Sequence, residues 1–144
     1  METVSTQGPW LAFALVLLAS PAACSRGDDE KRLAGERMLR TIDALVAADN
    51  ASKAAPLAAL EATPCQDPPA CKARDACVTA FRSLVRSVTV KDEVRAAMRA
   101  PGAAASVDAL SAKVADAEAA QKSAEASMPA CLSATAEARR VYTR

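Results

Sequence analysis

Apolar residues recur three and four positions apart along most of this chain, the spacing of one face of an α-helix. Met38, Ile42 and Leu45 form the first such face, with Leu39 and Val46 beside them. The pattern predicts a helix from near Asp28 to about Ala48. Asp28, Asp29 and Glu30 suit the positive end of its dipole, and Asp49-Asn50 is its stop. A short second helix enters through Pro56, carries Leu57 and Leu60 inward, and ends at Pro64. Asp67-Pro68-Pro69 has the form of an N-cap followed by proline in the first turn of a third helix. That helix aligns Cys77, Phe81, Leu84 and Val88 on one stripe and is expected to run to about Val88. Thr89-Val90-Lys91-Asp92 fits a capping box that restarts the helix through Met98, and a continuous helix three also satisfies the pattern.

Pro101-Gly102 is a firm break. Beyond it lies the longest pattern in the chain, from about Val107 to Tyr142. Val107, Leu110, Val114, Ala117, Gln121, Ala124, Met128, Cys131, Thr135, Ala138 and Tyr142 follow an alternating three-four spacing. The seam is rich in alanine, so each position buries little area but lets helices approach closely. An antiparallel hairpin with helix three, folded back at Pro101-Gly102, uses such a seam best. Pro129 is expected to bend this helix near Cys131. No strand pattern, glycine-rich phosphate loop or long repeat interrupts the helical reading. The predicted fold is all-α: a small bundle of three to four helices with a long C-terminal helix.

The N-terminal segment has a different pattern. Pro9 to Ala19 is an unbroken apolar run, followed by Ser20-Pro21-Ala22-Ala23 and then Cys24. The run falls well short of the roughly 20 residues of a membrane-spanning helix and fits the apolar region of an export signal. The segment resembles the signal of bacterial lipoproteins, in which small residues precede a cysteine that is diacylated and becomes the mature N-terminus. Ala22 and Ala23 match the two small positions, while Pro21 stands where the family usually places Leu, Val or Ile. The resemblance implies a signal peptide over 1–23, lipidation at Cys24, and attachment to a membrane through that lipid. Ser25 in the next position is compatible with sorting to the outer membrane, facing the periplasm. Ordinary cleavage, leaving a soluble periplasmic or secreted protein, is the alternative. Residues 24–30 are polar and poor in packing groups, as a flexible tether would be, leaving 31–144 as a single helical domain.

Composition narrows the function. The chain from Cys24 onward has roughly 120 residues, enough for one domain. Glu2 is the one charged side chain before Cys24, so the portion from Cys24 keeps all 18 basic residues and all but one of the 17 acidic ones. A balance this close to neutral gives no reason to expect nucleic acid. There is no histidine, which excludes Ser-His-Asp and Cys-His catalysis, His-ligated zinc and covalent haem attachment at a C-x-x-C-H motif. Trp10 lies in the signal, and after Cys24 only Phe81 and Tyr142 are aromatic, too few for a stacking surface. Alanine is about a quarter of this portion, and its larger aliphatics are few, so the core is thin and needs other support.

Four cysteines beyond Cys24 offer that support. Cys65, Cys71, Cys77 and Cys131 are an even set in an exported domain, the arithmetic of two disulfides. Cys65 precedes the Asp67 cap and Cys71 lies one turn inside the helix, so the two can meet. Cys77 and Cys131 both lie on apolar seams. The favoured pairs are Cys65–Cys71 and Cys77–Cys131, with Cys65–Cys77 and Cys71–Cys131 as the main rival. The C-x5-C-x5-C spacing contains no C-x-x-C unit, the usual element of structural zinc sites and thiol oxidoreductases.

Arg74, Arg82 and Arg86 recur at helical spacing, which suits either an anion-binding stripe or a solvated face. Carboxylate neighbours such as Asp92-Glu93 point apart on a helix and do not make an acid–base pair. The expected function is therefore non-enzymatic: a cell-envelope lipoprotein, without cofactor or metal, that binds an envelope protein through exposed helix faces. The alternative is a periplasmic protein that binds a small molecule or metal. Met38, Met98 and Met128 with free thiols would supply soft ligands for copper.

Overall fold

In the computed structural model, residues 22–99 and 106–142 are described, with side chains from Asp28 onward. They form four α-helices: α1 (Ala22–Ala47), α2 (Ala54–Ala62), α3 (Pro68–Arg99) and α4 (Val107–Tyr142), with a 3₁₀ turn at Asn50–Ser52 between the first two. No strand occurs among the described residues, and the fold is an all-α bundle with a long C-terminal helix and two disulfides. The expected break at Pro101-Gly102 and most of the segment expected to be a signal lie outside the described residues.

Helices α3 and α4 form an antiparallel hairpin. Residue numbers fall on one helix as they rise on the other: Lys72 pairs with Glu137 at 2.6 Å, Ser83 meets Ser123 at 3.2 Å, Arg86 pairs with Asp116 at 2.7 Å, and Glu93 with Lys113 at 2.6 Å. Helix α3 is continuous through Thr89, so no capping box operates there. Nothing between Ala70 and Arg99 breaks a helix, and α4 lies alongside, burying Ser87 and Val94. Helix α4 likewise runs unbroken through Pro129, which is exposed. It begins with Ser106, whose hydroxyl oxygen accepts the Ala109 N–H at 3.2 Å, an N-cap.

Helices α1 and α2 cover only one end of the hairpin. There Met38, Leu39, Ile42, Leu45, Leu57 and Leu60 pack against Ala73, Cys77, Ala80 and Phe81 of α3 and Cys131, Ala134, Ala138 and Tyr142 of α4. The alanine-rich seam of α4 is buried from Ala117 onward but not before it. Val107 and Val114 are 78% and 43% exposed, because these turns have only α3 for a neighbour.

Two crosslinks reinforce this small core. Cys77–Cys131 joins α3 to α4 inside it, and Cys65–Cys71 ties the α2–α3 connection to the first turns of α3. Both are the favoured pairs. The loop each closes in the unfolded chain is worth about 4 kcal/mol for Cys77–Cys131 and about 2 kcal/mol for the short one.

The segment expected to be a flexible tether is helical instead. Helix α1 begins at Ala22, six residues before the predicted start. Arg32 lies between Asp29 at 3.8 Å and Glu36 at 2.9 Å, pairs that support a helix on its own surface. Residues 28–34 are nonetheless all exposed, and Gly35 is the first buried position. The chain enters the bundle as a rod rather than a coil.

Candidate functional site

Cys24 lies in the first turn of α1, ahead of the exposed stretch 28–34. A group attached there would be carried on a projecting helix. None of the described helices is long and apolar enough to cross a membrane.

The remaining sulfurs are committed to one another in the two disulfides. The methionines do not converge. Met38 is in the core and Met128 packs against it, while Met98 is 73% exposed near the far end of α3. No group of three or more His, Cys, Asp or Glu side chains suited to a metal ion occurs among the described residues.

The arginine stripe is occupied by internal partners. Arg74 donates to the Thr63 carbonyl at 3.1 Å, capping the end of α2, and pairs with Asp75. Arg82 reaches Glu61 of α2 at 2.8 Å, and Arg86 reaches Asp116 of α4 with two nitrogens. These cations fasten neighbouring helices, which leaves little field for an external anion. Lys72 likewise holds the Glu137 carboxyl below its ordinary value by hydrogen bond and charge.

Two junctions that sequence reasoning missed hold α1 in place. Lys53 is buried, and its ammonium donates to the carbonyls of Leu45 at 3.0 Å, Val46 at 3.1 Å and Ala48 at 2.5 Å. These carbonyls end α1 without intrahelical partners, so one side chain satisfies three acceptors and places its charge at the negative end of the dipole. The same ammonium lies 5.4 Å from the Phe81 ring centre. No spacing rule identifies such a lysine, because it acts across a loop.

The second junction is near the middle of α1, where its buried stretch begins. The Tyr142 hydroxyl donates to the Asp67 carboxylate, while its ring lies against Gly35. Asp67 occupies the predicted cap position, and its carbonyl accepts the first helical bond from Cys71 at 2.9 Å. Its side chain, however, is turned toward α4, where it takes the Tyr142 hydroxyl. Burial, then the hydrogen bond to Asp67 and its charge, push the Tyr142 hydroxyl up to about 12.

Among the described residues, two surface depressions are informative. A groove of about 820 Å³ runs between the projecting part of α1 and the α2–α3 connection, bordered by Leu33, Met38, Pro64, Cys65 and Asp67. A shallower cleft of about 330 Å³ lies on the bare end of the hairpin, between Lys91, Val94 and Arg95 of α3 and Val114, Glu118 and Gln121 of α4. Met98 is one turn beyond Val94, and Leu110 and Val107 are one and two turns before Val114, so helical spacing extends an apolar strip from this cleft. Arg95 and Lys91 border it on one side and Glu118 on the other.

Comparison with protein-family models, with curated proteins and with solved structures gave no match, so the functional reading rests on the geometry of this chain.

Proposed function

We propose that this chain is a non-enzymatic cell-envelope lipoprotein that acts as a protein-interaction module. Lipid on Cys24 would anchor it to a membrane, in this reading the outer membrane on its periplasmic side. The projecting part of α1 would then act as a rigid spacer. At 1.5 Å per residue, Cys24 to Ala34 sets the bundle off the surface by about 15 Å.

The observation that carries the reading is the bare end of the α3–α4 hairpin. Met98, Val107 and Val114 are exposed there beside a cleft with cations on one border and an anion on the other. A third helix from an envelope protein fits such a surface. Its apolar residues at positions i, i+3 or i+4 and i+7 would fill the cleft, and its edges would carry the complementary charges. The mechanism is positional: the domain is held at the membrane and recruits its partner through packing.

Two measurements test this. The intact mass of the protein purified from membranes reports whether Cys24 is acylated, and a free cleaved end or a retained signal contradicts the anchor. A photo-crosslinking side chain at Val114 in the living cell should yield a discrete adduct that the same group at Thr79, on the exposed side of α3, does not. Equal background at both positions contradicts the interaction surface.

The alternative, a periplasmic small-molecule binder, draws on the groove beside α1, whose volume is in the range of ligand pockets. A compound from an envelope extract that protects the groove residues from hydrogen exchange, with Val114 untouched, would favour it.

A further inference from the structure

The two disulfides have different surroundings. Cys77 and Cys131 are 0% and 1% exposed, enclosed between α3 and α4. Cys65 and Cys71 are only partly buried, and Cys65 borders the large groove, through which a reagent can approach it. Between them in sequence lies Asp67. The Cys65 sulfur is 3.8 Å from the Asp67 carbonyl oxygen, so the crosslink and the carboxylate belong to one short, closed turn.

That turn holds more than itself. Asp67 accepts the Tyr142 hydroxyl, Tyr142 closes α4, and its ring covers Gly35, the first buried position of α1. The order of contacts is disulfide, Asp67, Tyr142, Gly35, α1. Nearer the other end of α1, Asp43 pairs with Arg139 and Lys53 caps the last turn, and neither depends on this turn.

We propose that Cys65–Cys71 is a redox latch whose reduction by a dithiol releases Asp67 from Tyr142 and unseats the first packed turn of α1, leaving Cys77–Cys131 and the rest of the bundle intact. A thiolate of the dithiol attacks one sulfur of the pair, breaking the S–S bond and forming a mixed disulfide. Its second thiol then closes the reductant's own disulfide and frees the second cysteine. Two electrons and two protons pass from the dithiol to the protein, which gains two thiols. Without the crosslink, the turn that holds Asp67 gains conformational freedom, and ordering it again costs entropy. Tyr142 then loses its fixed acceptor and Gly35 its cover. The latch couples the redox state of the surroundings to the shape of the groove beside α1.

The test is graded reduction of the oxidised protein with dithiothreitol, followed by alkylation and mass analysis, with amide exchange read in parallel. Thiols at Cys65 and Cys71 should appear at least about tenfold faster than those at Cys77 and Cys131. In the partly reduced protein, exchange across residues 34–39 should rise about tenfold or more, while amides at 77–81 keep their protection. The Tyr142→Phe variant should have the faster α1 exchange already when oxidised, and should change less than about twofold on reduction. Simultaneous loss of both disulfides overturns the proposal. So does unchanged α1 exchange once Cys65 and Cys71 are alkylated, or a full wild-type response in Tyr142→Phe. If that variant does not fold, the wild-type measurements decide alone.

Discussion

The ring of Tyr142, at the end of the last helix, lies flat against Gly35 near the start of the first buried stretch of α1. A methyl group at Gly35 would come closer than 3.0 Å to three ring atoms. On an exposed helix surface, Gly→Ala stabilises by about 1 kcal/mol. Here the sign reverses. Gly35→Ala displaces a buried ring that is also fixed at its hydroxyl, and should cost about 1–3 kcal/mol, an overpacking penalty that exceeds the propensity gain. Urea denaturation checks it: the midpoint falls, with the slope unchanged.

Tyr142→Phe keeps the ring and removes one oxygen. Asp67 then lacks its donor, for a loss of about 1–2 kcal/mol near neutral pH. The wild type should also carry a signature the variant lacks. The hydroxyl keeps its proton to about 12 in the folded chain, against 10.0 for the ordinary group. The unfolded chain therefore releases that proton first, and the contribution, whole below pH 10, is lost as pH rises toward 12. Denaturation at several pH values across this window should show a steeper fall for wild type than for Tyr142→Phe.

Lys53→Met preserves the stem and removes the ammonium. The carbonyls of Leu45, Val46 and Ala48 then lose their shared donor at a buried helix end, for a cost of about 2–3 kcal/mol. An exposed lysine elsewhere on α1, Lys31, changed in the same way should alter stability by less than about 0.5 kcal/mol. Thermal or urea unfolding of the two variants separates the readings.

The crosslinks should differ in weight. Cys77→Ala/Cys131→Ala opens the longer loop and should lose about 4 kcal/mol, against about 2 kcal/mol for Cys65→Ala/Cys71→Ala. For a thin, alanine-rich core the first is a large share of total stability. Equilibrium unfolding of both pairs tests the order.

By contrast, Arg86→Ala breaks an exposed pair with Asp116 and should cost less than about 1 kcal/mol. A loss of several kcal/mol would show that the hairpin depends on its surface charges rather than on its seam.

Much of the architecture was legible before folding, because it rests on periodicity and local chemistry. The faces of Met38, Ile42 and Leu45, of Leu57 and Leu60, and of Cys77 and Phe81 are all buried as their spacing predicts. The favoured disulfide pairs, ranked above their rival by the Asp67 cap for Cys65–Cys71 and by the apolar seams for Cys77–Cys131, are the ones that form. The predictions that failed share one cause. The restart at Thr89 and the coil at residues 24–30 were inferred from local polar residues, and in both places uninterrupted helical backbone, with side-chain support from a neighbour or from the helix itself, overrides that signal. The exposed start of the α4 seam is a further case, since a heptad pattern does not say where its neighbour ends.

The sequence by itself determined the helices and the hairpin and narrowed the cysteine pairs to a favoured set and one rival, since each follows from residues a few positions apart or from a shared apolar face. Only the tertiary structure decided what the polar groups do. Lys53 caps a helix that ends before it, Tyr142 serves a turn 75 residues away, and Arg82 and Arg86 of the arginine stripe are spent on carboxylates of other helices. A charged or hydroxyl group takes its partner from whatever the fold brings within about 3 Å, and no pattern along the chain specifies that distance.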